Sequence, residues 1–509
     1  MKQGDVLGSF LYALSIHPAY QQCTPPGDDK VRKVEIMDDL NLVGAFKPVL
    51  EAFDRFEASL VDTGLEMRRD KCRILWPHPT PIPEDLQYEA EKRQIKIETG
   101  AMTTLGAMVG LDQEKIMNWV AEKVAKHKKL FDILQHAEMP SQISTLLLRM
   151  SALPSMGYLS RTIRPHLLAD YAKKFDLMVL ETAVSKLNLP KALSEETVST
   201  LHLPLRLGGF GLRSVAKTSS AAYFSAVAQT VPDLLAIVPA NHVNSLLVEE
   251  KSRIPTANAI QSCLEFFAAS GLTLGQAGLP RNLAEFWGNY SLPTPGSRLQ
   301  SAVCTLLESV ALAKLKAQLD LHNQQRIVSA GGKFAGVWLS VTPTSFDLQL
   351  TDEEMGLASR IRLGLPPLDN LPVSCVCGQV LDDDPDHFLS CQNLRRSAVT
   401  SRHDSIVRLL AKHLRRASAL VHEEQRFPGE RKLRPDLDVF FSDEYLLVDV
   451  VVTHPAAPSR KSIKPLAAAG DWERRKVNKY ESLAAVHGAK VFGFSLESIG
   501  AWSGQAVSR

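Results

Sequence analysis

The chain has 509 residues, enough for several domains, because single hydrophobic cores rarely grow beyond about 250–300 residues. Its 45% hydrophobic content suffices for packed cores, while a formal net charge of +2 gives no bulk argument for nucleic acid, so the placement of charge has to supply one. No run of about 18 apolar residues occurs, which excludes an ordinary transmembrane helix, and the start Met1-Lys2-Gln3-Gly4-Asp5 lacks a signal peptide's apolar stretch, so an intracellular protein is expected.

The polar glycine turn Gln3-Gly4-Asp5 runs into an apolar helix expected to stop before Pro18. Between Glu35 and Gly44, Asp38-Asp39 is flanked by apolar residues, the pattern of a tight hairpin whose turn presents carboxylates. An amphipathic helix from Phe46 to Leu60 leads to Gly64-Leu65, to Asp70-Lys71-Cys72-Arg73 and, after a charged loop, to Leu105-Gly106. This order resembles the palm motifs of a reverse transcriptase, with Val6 in place of the usual proline and Met37 before the aspartate pair as departures. The resemblance implies that Gln3 and Gly4 form the turn under the templating base, Asp38 and Asp39 the metal-binding pair, Lys71 the lysine near the incoming triphosphate, and Leu105-Gly106 the primer grip. It also implies a first palm motif and fingers upstream of Gln3, so the chain is expected to be a truncated form that does not polymerise. Two-metal phosphoryl transfer needs carboxylates from both palm strands.

From Gln113 to about Phe224 the pattern is helical. Lys123, Lys126, Lys128 and Lys129 form one basic stripe and Arg161, Arg164, Lys173 and Lys174 another. By position this region resembles the polymerase thumb, although a solvated helix face accounts for the lysines equally well. The glycines of Leu203-Pro204-Leu205-Arg206-Leu207-Gly208-Gly209-Phe210-Gly211-Leu212 point to a tight backbone approach, not catalysis. Residues 225–345 read as helical segments broken at Pro232, Pro239, Pro280 and the Leu292–Gly296 linker, and carry no motif.

Cys375-Val376-Cys377-Gly378 is followed, after an acidic loop, by His387 and Cys391. Three thiolates and one imidazole suit tetrahedral zinc, whereas Cys23, Cys72, Cys263 and Cys304 have no partner spacing and read as free core thiols. His403 offers an alternative ligand or a contact to DNA. Arg395, Arg396, Arg402, Arg408, Lys412, Arg415 and Arg416 then crowd one helix, and Arg460, Lys461, Lys464, Arg474 and Arg475 follow, a field suited to a polyphosphate backbone.

The segments Arg434–Phe441 and Leu446–Val452 read as adjacent strands. Asp449 stands alone in the apolar second run, where a lone carboxylate costs several kcal/mol unless a cation meets it. Alternation sends Leu437, Val439 and Phe441 to one face and Asp436 and Asp438 to the other, so Asp436 can share a site with Asp449. A helix capped by Asp471 and running to about Ala485 would bring Lys476 or Lys479 to the same carboxylates. Two acids and a lysine are what phosphodiester hydrolysis assisted by Mg²⁺ or Mn²⁺ requires, with Glu424 as a third acidic ligand.

These residues resemble the PD-(D/E)XK nuclease pattern, except that Val451 occupies the usual lysine position. A lysine moved to the following helix is similar to the restriction-like endonuclease of site-specific non-LTR (LINE-type) retrotransposons, which also carry a Cys-Cys-His-Cys zinc knuckle immediately before the nuclease. The expected architecture is a multidomain α+β and α/β chain. A partial reverse transcriptase palm would span 1–112, a thumb-like helical domain 113–224, a helical connector 225–345, a zinc knuckle region 346–395 and a PD-(D/E)XK-like nuclease 396–509. The resemblance implies metal-dependent nicking of target DNA, retrotransposon RNA as a further partner and the nucleus as location, with no membrane or small-molecule partner. The competing expectation is a non-catalytic nucleic-acid-binding remnant in which Asp449 pairs with a buried lysine and does no chemistry.

Overall fold

The computed structural model describes residues 6–25, 30–237, 254–288, 298–381, 384–391, 393–394, 398–427, 433–457 and 459–504; Gln3, Gly4, Asp5, Pro239, the Leu292–Gly296 linker, Arg395 and Arg396 lie outside them. Helices dominate, with three two-stranded sheets and one four-stranded sheet among the described residues.

Strands β1 (Val31–Ile36) and β2 (Asp39–Gly44) pair antiparallel with Ile36 opposite Asp39, so Met37 and Asp38 make a two-residue turn, Met37 at φ +57°. The Phe46–Leu60 helix packs on this hairpin and stacks Phe56 on Tyr20 at 5.2 Å. The first helix does not stop before Pro18: it runs Gly8–Cys23 with the proline inside. Ile16, Ala19, Tyr20 and Cys23 on either side of Pro18 are buried against Ala52 and Phe56, and that packing offsets the lost backbone hydrogen bond. Strand β3 (Arg73–Trp76) pairs parallel with β4 (Lys96–Thr99). A second hairpin joins β5 (Ala101–Thr104) to β6 (Ala107–Gly110) through Leu105 (φ +49°) and Gly106 (φ +76°), the two positive φ values that a tight two-residue turn demands.

Two helical cores follow, and neither respects the expected boundaries. Ile116, Val120, Phe131, Leu168 and Phe175 share one interior with Leu339, Met355 and Leu363, so the Asp352–Leu363 helix belongs with the helices before residue 224. The 224/225 boundary falls inside the Val215–Ile237 helix, which continues through Pro232. Its Phe224 and Ala228 pack with Ile260, Phe267 and Phe286 in the second core. The glycine-rich loop lies between these parts. A Cβ on Gly209 would come within 2.0 Å of the Leu203 carbonyl oxygen, and the buried Arg362 guanidinium donates to Gly209 O (3.1 Å), Leu205 O (3.3 Å) and Ala335 O (3.1 Å). Backbone proximity is thus the reason for the glycines here.

The C-terminal sheet has the order β10-β9-β8-β7, built from β7 (Leu420–Glu423), β8 (Leu437–Phe440), β9 (Tyr445–Thr453) and β10 (Lys490–Glu497). β10 runs parallel to β9, and the other neighbours are antiparallel. The Thr400–Arg416 helix covers one face, placing Val407 and Ala411 on Leu437, Val439, Val448 and Val450. The Ala467–His487 helix covers the other, with Tyr480 and Leu483 on Leu447. Coverage on both faces explains the nearly continuous apolar run of β9.

Candidate active site and metal centre

The β8–β9 ladder ends at Leu437 opposite Val448, so Asp436 continues directly toward Asp449. Asp436 Oδ2 accepts the Val450 N–H at 2.6 Å, and His403 Nε2 lies 3.3 Å from the same oxygen and 3.1 Å from Val450 O. The Asp436 pair holds His403 in its cationic form: the hydrogen bond to that carboxylate, more than any other influence, pushes its pKa up to about 9. Asp449 is 2% exposed, and Lys476 Nζ from the overlying helix pairs with its Oδ2. Burial raises the Asp449 pKa and the Asp436 charge adds to that, while Lys476 opposes both.

Lys479 points elsewhere. Its ammonium donates to the Tyr480 hydroxyl at 2.8 Å and sits 4.4 Å from that ring, and the hydroxyl donates in turn to Arg434 O at 2.8 Å. Asp471 does not cap this helix, which begins four residues earlier at Ala467 after Leu466 in the left-handed region. Ala468 and Ala469 are buried there, and Asp471 lies within the helix, bound to Arg460 (2.9 Å) and Arg474. Burial of small apolar residues, not a polar cap, sets this start.

Glu424 stays out of the pair. Its backbone N–H donates to Asp436 O at 3.0 Å from a left-handed conformation (φ +51°), and its carboxylate turns outward to Arg434. Asp438 shares the Asp436 face but lies deeper, opposite Leu447 and His422; it is 1% exposed, neither oxygen has a hydrogen-bond partner, and burial pushes its pKa up to about 6.

A cleft of about 530 Å³ opens beside Lys476. Arg402, His403, Arg460 and Trp472 line it, and Leu389, Ser390 and Cys391 form another part of its wall. Not every expected cation is free to face solvent: Arg402 is half-buried and donates to Leu389 O (3.2 Å), Lys412 pairs with Asp347 (3.3 Å) and Arg415 with Glu423 (2.9 Å).

At that wall the ligand atoms of Cys375, Cys377, His387 and Cys391 all lie within 4.8 Å of one another. Cys375 Sγ is 3.6 Å from Cys391 Sγ and Cys377 Sγ is 3.1 Å from His387 Nε2. The turn is closed by Gly378 (φ +91°), whose N–H donates to Cys375 O at 2.8 Å. Three sulfurs and a nitrogen so arranged can hold a metal ion such as zinc. Asp384 Oδ2 lies 3.5 Å from His387 Nδ1, which has no hydrogen-bond partner. Although burial pushes the Cys391 thiol up, hydrogen bonds from the Leu394 backbone and Cys375 outweigh it and bring the thiol to about 7. The remaining cysteines are free thiols, Cys23, Cys263 and Cys304 buried and Cys72 half-buried.

In the N-terminal part Asp38 and Asp39 are exposed at the hairpin turn and Lys71 is exposed at the end of a 3₁₀ turn. Thr104 Oγ1 bonds Asn41 Oδ1 at 3.1 Å and ties the two hairpins together. In the helical region Lys126, Lys128, Lys129, Lys173 and Lys174 are exposed, but Arg164 is buried and so leaves its stripe.

Reasoning from the sequence missed a second group whose ligand atoms lie within 4.8 Å: His322, Asp386 and His454. Three distant segments supply it, so no local spacing announces it. Among the described residues these two groups are the ones with three or more metal-ligand atoms so close, and Asp38, Asp39, Asp436 and Asp449 belong to neither. Among the described residues no helix is long and apolar enough to cross a membrane. No family model matches the chain, and no curated protein matches it.

Proposed function

We propose that this is a site-specific non-LTR retrotransposon protein whose C-terminal unit is a metal-dependent DNA endonuclease. The observation that carries the reading is the Asp449–Lys476 pair, with the Asp436 charge within electrostatic reach of it, beside a cleft that Lys476 lines together with Arg402, His403 and Arg460. Two carboxylates are hard oxygen donors that fit Mg²⁺ or Mn²⁺. A divalent ion held by Asp436 and Asp449 would activate water and neutralise the developing phosphorane charge. Lys476 orients the nucleophile or the scissile phosphate, and the cationic cleft walls bind the backbone on either side. The knuckle takes zinc through Cys375, Cys377, His387 and Cys391. The N-terminal hairpins are read as a palm remnant that binds element RNA without polymerising, in a protein acting in the nucleus.

The deciding experiment incubates the purified full chain with supercoiled DNA and Mg²⁺ or Mn²⁺. Wild type should nick it; Asp449→Ala should bind the DNA and leave it intact.

A second reading, a nucleic-acid-binding protein without catalysis, draws on the protein partners these carboxylates already have: Val450 and His403 for Asp436, Lys476 for Asp449. Binding without nicking under every divalent ion, with Asp449→Ala merely unfolding the chain, would establish it.

A further inference from the structure

The group formed by His322, Asp386 and His454 lies beside the knuckle but shares no ligand with it. His322 comes from the first turn of the Leu321–Ala330 helix, Asp386 from the acidic loop of the knuckle, and His454 from the residue after β9. Asp386 is 4% exposed and His454 5%. His322 Nε2 is 2.9 Å from Asp386 Oδ1 and His454 Nε2 is 3.7 Å from Asp386 Oδ2.

These contacts do not behave as a hydrogen-bonded relay. Both Asp386 oxygens and His454 Nε2 are buried without a hydrogen-bond partner, so the short approach to His322 is close enough for such a bond but not aligned for one. A desolvated carboxylate held between two imidazoles is a ready ligand for a cation. The buried Arg326 guanidinium is engaged with Asn323 Oδ1 (3.0 Å) and Arg362 O. The other nitrogen of His454 is anchored at 2.8 Å by Ser498 Oγ, which fixes the ring with Nε2 toward the centre, as the outer partner of a metal-bound imidazole does. The two separations to Asp386, 2.9 and 3.7 Å, bracket the edge of a tetrahedron with bonds of about 2.0–2.1 Å, roughly 3.3 Å, and the third pair lies within 4.8 Å.

We propose that His322, Asp386 and His454 bind a second zinc ion, which clamps the knuckle between the helical connector and the nuclease sheet. Two imidazoles and a carboxylate are a borderline nitrogen and oxygen set that favours zinc over Mg²⁺ or Ca²⁺, and three protein ligands leave the fourth position to water. The clamp is independent of the nuclease reading: it holds whether or not DNA is cut.

Metal analysis of the full-length protein purified in zinc should give two ions per chain. His322→Ala should lose one and keep the other; Cys377→Ser should show the reverse. His322 is half-exposed, so its removal is the milder change. Should His322→Ala fail to fold, the wild type still decides. Titration of the metal-free chain with Co²⁺ should take up two equivalents, with thiolate charge-transfer absorption saturating at one and the second giving ligand-field bands alone. One zinc per wild-type chain, a His322→Ala protein that retains both ions, or cobalt uptake that ends when the charge-transfer band does would each overturn the proposal.

Discussion

The Lys476 ammonium closes on the Asp449 carboxylate in the middle of β9, giving the one charge of an apolar strand its cationic partner. Asp449→Ala is expected to abolish nicking while DNA affinity, set by the cationic helix and cleft, stays near wild type. Lys476→Ala should slow nicking by about 10²–10³-fold, the usual loss for one preorganised electrostatic group. It should also destabilise the fold by about 3–5 kcal/mol, because Asp449 is left buried and unpaired. Lys479→Ala loses a hydrogen bond to the Tyr480 hydroxyl and a ring contact, about 1–2 kcal/mol together, and should cut at close to the normal rate. Nicking time courses and urea melts on the three variants check this; equal rate losses at Lys476 and Lys479 would refute the assignment.

His403 and Asp436 make stability depend on pH in a defined direction. Because the folded-state pKa of about 9 lies above the ordinary imidazole value, their contribution is complete below about 6.5 and disappears as pH rises through 9. Its size is about 2–3 kcal/mol at most, less for the part of the ring that solvent reaches. His403→Gln should therefore weaken the protein at pH 6 and matter little at pH 9.5. Urea midpoints that differ by the same amount across that range would count against the pair.

Asp438 works against the fold at neutral pH. Its carboxyl titrates near 6 in the folded chain, above the ordinary aspartate value, so stability falls as pH rises from about 4, where the unfolded carboxyl ionises, and the penalty is complete above about 6. Asp438→Asn should stabilise the protein by about 1–2 kcal/mol at pH 7.5 and have little effect at pH 4. A melting temperature lowered at pH 7.5 would show that the carboxylate has a favourable partner in solution.

The purified chain should not extend a primer on an RNA template. Asp38 and Asp39 stand on an exposed turn with no third ligand atom within metal reach among the described residues, and phosphoryl transfer by two ions needs more than that turn. Synthesis that Asp38→Ala abolishes would contradict this expectation.

The residues that could be read in advance were those whose neighbours in sequence betray them. Asp449 is conspicuous because everything beside it in β9 is apolar, and the hairpin at Asp38-Asp39 because two apolar runs flank a polar pair. Lys476 could not be told from Lys479, since the direction of a helix face depends on where the helix begins, and that start lies with the buried Ala468 and Ala469 and not with Asp471. Glu424, expected as a third acid from its place before the strand, has a left-handed backbone, and its carboxylate meets Arg434 instead of the pair, which no local spacing foretells. The limits drawn at Pro232 and near residue 345 assumed that prolines and motifs mark the edges of cores. Burial in the Val215–Ile237 and Asp352–Leu363 helices overrides both. His454 carried one usable signal, a histidine directly after a fully covered strand, but its partners His322 and Asp386 meet it only in three dimensions.

Arg362 has a practical consequence for dissecting the chain. Its guanidinium serves as hydrogen-bond donor to carbonyls contributed by Leu205, Gly209 and Ala335, and its helix fills the same interior as residues after Gln113. A recombinant fragment beginning at residue 346 would expose Met355 and Leu363 and carry away the donor those carbonyls depend on. Both halves of such a cut should be insoluble or protease-sensitive, whereas a piece beginning at Ala101 keeps that interior whole.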